Sequence, residues 1–163
     1  MTLYHSFIYP YMNYCVTIWG STYKKYLDCL VKFQKRALRF ITGSKWGTET
    51  GPLFQQLKIT KLSEIYVYAV QLFCFKFRNQ LLQETFSSFF TYNHEVHNHY
   101  TRQKLNFHVP RKGLQQASKT IKHIAVRIDN YLHSRINQQC TYLTFKKNLK
   151  QFILGNDVTF LVH

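Results

Sequence analysis

Hydrophobic residues return along most of this chain at steps of three and four, the spacing that gathers them on one side of an α-helix. In residues 3–19 the series is Tyr4, Phe7, Ile8, Tyr11, Cys15 and Ile18. Pro10 lies inside it and has no N–H to give to the carbonyl of Ser6, so the pattern predicts a kink, or a first turn of helix that ends near Tyr9. Over 22–41 the pattern is cleaner. Leu27, Leu30, Val31, Leu38 and Ile41 share one side, Lys32, Lys35, Arg36 and Arg39 the other, and Gly43 stands where a helix C-cap is expected. Residues 44–52 collect turn formers and threonines, which predicts a loop.

A short helix over 52–57 follows, then a longer one with Thr60 placed as N-cap and Ser63 or Glu64 in its first turn. Its stretch 62–77 is apolar on nearly all sides, so neighbours must cover it. Residues 81–90 give a last amphipathic turn or two. The helical period is then lost over 91–113, where Leu105, Phe107 and Val109 alternate with polar residues as a short strand would. Residues 121–136 and 142–154 read as two more helices, the second ended by Gly155, Asn156 and Asp157. The expected fold is mainly α: an irregular helical bundle over 1–90 with the better core, a basic, His-rich, strand-bearing connector over 91–118, and a looser C-terminal helical pair in a tail over 119–163.

Composition agrees with long helices, since 163 residues hold only 6 Gly and 3 Pro, and 45% hydrophobic residues suffice for a core. The longest apolar run, 65–75, is interrupted by Gln71 and closed by Lys76 and Arg78, too short to span a bilayer. Cys15, Cys29, Cys74 and Cys140 form no closely spaced pair, which argues against a zinc knuckle or a redox dithiol. With no signal peptide apparent, reduced thiols in an intracellular protein, a nuclear or cytoplasmic ribonucleoprotein, are the expectation.

Charge changes the picture most. Lys and Arg number 22 against 7 Asp and Glu, a net +15 whose self-repulsion a polyanionic partner would relieve. RNA or DNA leads as that partner. A membrane surface is disfavoured because the apolar stripes are needed for a core. The basic side of the second helix, Lys32, Lys35, Arg36 and Arg39, could meet several phosphates at once. A second basic set comprises Arg102, Lys104, Arg111 and Lys112, then Lys146, Lys147 and Lys150, with Tyr100, Phe107 and Phe145 between them as base-stacking or core residues.

Other chemistry is thinly supplied. His94, His97 and His99 cluster, yet the zincin pattern needs histidines four apart on a helix, so surface histidines are expected and no metal or other cofactor. The acids are Asp28, Asp129, Asp157, Glu49, Glu64, Glu84 and Glu95, none paired in a motif, and there is no YxDD, GxxxxGK[ST] or GxSxG sequence. The chain by itself is therefore not expected to be an enzyme.

The opening LYHSFIYPYMNYCVTIWG resembles the helix just after the palm in jockey-like non-LTR retrotransposon reverse transcriptases, through Tyr4, Pro10, Tyr14 and Trp19. LDCLVKFQKRALRFITG is similar to the family's LxxLxxxQKRAxRxITG stretch through Leu27, Leu30, Gln34, Lys35, Arg36, Ala37, Arg39, Ile41 and Gly43. LKITKLSEIYVY, NHYTRQ and FKKNLKQFIL follow in the family's order, so the resemblance covers almost the whole chain. It implies a thumb-like helical region and C-terminal tail of an RNA-directed DNA polymerase, which holds the RNA template and DNA primer and contacts the catalytic palm. That palm would precede Met1, and the chain would be a truncated copy or the end of a longer reading frame. Where the family has a Gly, a Trp-Asn pair and a Pro, this sequence has Ala125, Asp129 with Asn130, and His133, which predicts a poorly anchored helix over 121–136. A relic with no selected activity, and a helical protein-interaction module, stay open as alternatives.

Overall fold

Pro10 shapes the start of the chain. In the computed structural model, which describes residues 2–97, 102–110 and 120–162, the turn before it is a π-helix, Tyr4–Ile8, in which the Tyr9 N–H bonds five residues back to the Tyr4 carbonyl. Pro10 then falls in the first turn of α1 (Tyr9–Asn13), where no donor is needed. The break comes later than Tyr9, at Tyr14 and Cys15. Cys15 takes a left-handed φ of 49°, and the Trp19 indole Nε1 donates to the Tyr14 carbonyl at 2.7 Å across the gap to α2 (Val16–Trp19).

The next helix, α3 (Lys24–Thr42), ends at Gly43 with a φ of 63°; the Gly43 and Ser44 N–H groups close the last turn on Phe40 and Arg39 carbonyls. A loop leads to α4 (Gly51–Leu57), which stops at the left-handed Lys58. The long apolar helix is α5 (Leu62–Arg78), and it is covered as its sequence requires, with Leu62, Ile65, Tyr66, Val67, Val70, Cys74 and Phe75 buried. Its N-cap is Lys61 rather than Thr60. The Glu64 carboxylate accepts from the Lys61 N–H at 2.8 Å, while the Thr60 carbonyl accepts from Gln34 Nε2 at 2.9 Å.

The amphipathic turn or two expected over 81–90 is a single 3₁₀ turn, Glu84–Phe86. Ring packing wins over local helix here: Phe90 lies 5.0 Å from Phe77, 4.9 Å from Phe89 and 4.7 Å from Phe107, centroid to centroid. The following segment is not free of helix as expected, because Glu95 caps the Tyr92 N–H and opens a single turn, α6 (Asn93–Val96). The strand shrinks to one antiparallel bridge, Tyr92 with Phe107, among the described residues. Phe107 is buried while Leu105 and Val109 are exposed, and the Asn130 side chain takes both the Phe107 N–H and C=O at 2.9 Å. A side-chain amide has replaced the neighbouring strand.

The last two long helices, α7 (Ile121–Leu132) and α8 (Tyr142–Gly155), overturn the expectation of a loose tail. Ile124, Ala125, Val126, Ile128 and Leu132 join Phe145, Leu149 and Ile153 in the same core as α5, where Phe75 and Phe145 stack at 4.1 Å. Each such fully buried Ile, Leu or Phe contributes roughly 1.5–3 kcal/mol. The architecture is thus mainly α, with α5 as its central pillar. A smaller cluster of Tyr4, Leu38, Phe54 and Ile59 holds α3 and α4 to the N-terminal turn.

Candidate nucleic-acid interface

At 100° per residue, Lys32, Lys35, Arg36 and Arg39 fall within an arc of about 100° on α3, with the buried Gln34 opposite and the buried Leu38 to one side. The inner face dictates this: Gln34 Nε2 donates to the Tyr4 hydroxyl at 2.8 Å, and Gln34 Oε1 accepts from the Leu62 N–H at 3.2 Å, so α3 cannot turn about its axis. Lys32, Lys35 and Arg36 are exposed and Arg39 half-buried. Among the described residues none of the four has a carboxylate within 4 Å, although Asp28 shares the arc and Lys35 borders a cavity that Asp28 and Glu49 also line. The loop after α3 organises two of them. Arg36 lies over the Trp46 ring at 5.0 Å, and Arg39 Nε donates to the Thr48 carbonyl at 2.9 Å.

Sequence reasoning missed what stands beside the cations. Tyr26, Phe33 and Phe40 recur every seven residues and form an adjoining ridge, 66%, 54% and 89% exposed. Lys25, exposed and one such interval before Lys32, extends the basic arc. That interval was the signal that could have found them.

The second basic set divides. Arg102 is exposed and Lys104 half-buried, its carbonyl accepting from the His94 N–H at 3.3 Å. Arg111, Lys112, Tyr100 and His99 lie outside the described residues. Phe107 and Phe145 are fully buried and serve the core, out of reach of any base. Lys146, Lys147 and Lys150 are exposed on α8 and line a cleft of about 750 Å³ between α8, α5 and the N-terminal turn. Two lysines not singled out from sequence, Lys58 and Lys76, line it too, and among the described residues no Asp or Glu does. Tyr9 and Tyr68 form part of its wall; burial pushes the Tyr68 phenol up to about 12, so it stays a neutral hydroxyl.

Three of the acids are engaged elsewhere. Asp129 is bound by Arg78, Glu64 by Lys61, and Thr159 hydrogen bonds hold the Asp157 carboxyl below its ordinary value. Among the described residues no three His, Cys, Asp or Glu converge as a metal would require. Among them, too, no helix is long and apolar enough to cross a membrane. No protein-family model, no curated protein and no solved structure matches this chain.

Proposed function

We propose that the chain is a nucleic-acid-binding module without catalytic activity, the thumb-like C-terminal part of a reverse transcriptase of the non-LTR retrotransposon type. The observation that carries the binding reading is the α3 face: four cations in one arc, unpaired with acids among the described residues, beside an exposed aromatic ridge. A cation that would otherwise repel its neighbours gains by meeting a phosphate and releasing the counterions condensed there. The net charge of +15 supports the same partner. The polymerase ancestry rests on the sequence resemblance, and the fold class it implies, mainly α, is the fold described above.

The test is the affinity of the chain for a short RNA–DNA hybrid over a salt series. About five neutralised phosphates give a log–log slope near −4 to −5. Charge reversal at Lys32, Lys35 and Arg36 lowers the affinity at least tenfold and flattens the slope. A salt-independent affinity, or one indifferent to those three residues, would refute the reading.

A second reading has one observation in its favour. Phe7, Tyr11, Tyr14 and Ile18 are each at least 65% exposed along the N-terminal helices, an apolar ridge suited to another protein surface. Under the resemblance that surface is the palm; adding the palm to the chain should then protect these four side chains from hydroxyl-radical oxidation, whereas undiminished oxidation would reject that reading.

A further inference from the structure

We infer that the lysine cleft is a separate subsite for an unpaired stretch of nucleic acid, one that takes phosphates on its rim and ring faces on its wall. The inference rests on the nucleic-acid reading above and adds to it a strand type and a place. Lys146, Lys147 and Lys150 project from one helix, Lys76 comes from α5, and Lys58 reaches in from the turn after α4. Three elements, one of them distant in sequence from the other two, thus bring cations to one cavity whose lining, among the described residues, holds no Asp or Glu.

Lys58 sharpens the point. It occupies a left-handed backbone position, φ 51°, where glycine or asparagine is the unstrained choice, and a cation stands there instead. Lys146 and Lys150 are four apart, so their stems rise side by side one helical turn from each other, about 6 Å. The cavity is therefore edged by a short ladder of charges rather than a single one.

The wall decides the strand type. Tyr9, Tyr68, Leu72 and Phe73 make it apolar, and the Tyr68 hydroxyl remains a donor. A duplex offers phosphates but keeps its ring faces stacked inside, so such a wall would have nothing to meet. An unpaired strand offers both, which is how single-strand grooves combine charge with aromatic contact. At about 750 Å³ the cleft has the size of a ligand site rather than of a duplex-wide channel.

Two labelled ligands test this on the full chain by fluorescence anisotropy: decauridylate and a short RNA–DNA hybrid. Lys146→Glu with Lys147→Glu and Lys150→Glu should weaken decauridylate at least tenfold and the hybrid less than about threefold. Reversal of Lys32, Lys35 and Arg36 should do the opposite. The wild-type slope for decauridylate should lie near −3.5, about 0.7 for each of five phosphates. Unchanged decauridylate affinity in the α8 variant overturns the cleft while hybrid binding keeps the broader reading alive. Failure of the wild type to bind either ligand sinks both. An abasic phosphodiester of equal length that binds as tightly, or a preference for phosphatidylserine vesicles, also overturns the cleft. Because charge reversal can disturb folding, the wild type is footprinted as well. Saturating decauridylate should protect Lys146, Lys147 and Lys150 from acetylation but leave Lys122 reactive, and equal reactivity with and without ligand is a refutation.

Discussion

Arg78 grips Asp129 through two nitrogens, Nε at 3.0 Å and Nη2 at 2.5 Å on the same carboxylate oxygen, and so joins α5 to α7 in the centre of the molecule. The other oxygen accepts from Gln71 Nε2 at 3.0 Å, and Arg78 Nη1 donates onward to the Leu105 carbonyl at 2.9 Å. Asp129 has no exposed surface and the Arg78 side chain is 11% exposed. Removing one member of such a pair strands the other charge out of water, so Asp129→Ala should cost about 3–5 kcal/mol. Arg78→Ala should cost comparably, and the double variant should lose less than the sum by 1 kcal/mol or more, on the order seen for contacting residues. Urea unfolding of the four proteins measures this; additive losses would show that the two residues do not act as a pair.

Gly20 sets a second constraint at the N-terminal end. A Cβ placed on it would lie 2.2 Å from Tyr66 Cδ2 and 2.5 Å from the Val16 carbonyl. Tyr66 is 1% exposed and cannot swing aside, so α2 would have to lift off α5. Gly20→Ala should destabilise by about 1–3 kcal/mol, the usual cost of overpacking. Gly47→Ala, whose new methyl meets nothing within 4 Å, serves as the control and should leave the melting temperature within a degree or two, about the effect of an ordinary surface substitution. Equal behaviour of the two variants would contradict the close approach of Gly20 to Tyr66.

Periodicity made α3 legible, because its apolar positions specify which face turns inward, and α5 was legible as a helix that neighbours cover, because it is apolar on nearly all sides. Periodicity also placed the four cations of α3 on one side, where they are found. What escaped was everything decided by a distant partner. Gln34 read as one residue of a motif, yet it is buried and ties Tyr4, Thr60 and Leu62 together. Asp129 stands where the resembled family has Trp, and its burial against Arg78 could not be foreseen, since their separation of 51 residues leaves no local signal. The anchor of α7 is ionic rather than aromatic. For the same reason Lys58 and Lys76 were invisible as partners of Lys146, Lys147 and Lys150: only tertiary packing brings the turn after α4, α5 and α8 to one cleft.

Glu64 gives the fold a pH dependence whose sign can be worked out. Burial pushes its carboxyl above the ordinary value, and the hydrogen bond and charge from Lys61 offset this only in part. A folded-state pKa above the unfolded one favours the protonated fold. That contribution is complete below the unfolded value, about 4.3, and is lost as pH rises through the raised folded value. Glu64→Gln keeps an acceptor for the Lys61 N–H, 2.8 Å from the carboxylate in the wild type, but has no charge to bury. It also gives up an ion pair with Lys61, whose side chain is 44% exposed, a contact worth about 0–1 kcal/mol. The stability of the variant relative to wild type should therefore move in favour of Gln between about pH 4 and pH 7. Measuring the difference at each pH cancels the titration of all other carboxylates. Movement towards Glu over that interval would mean that Lys61, and not burial, governs the group.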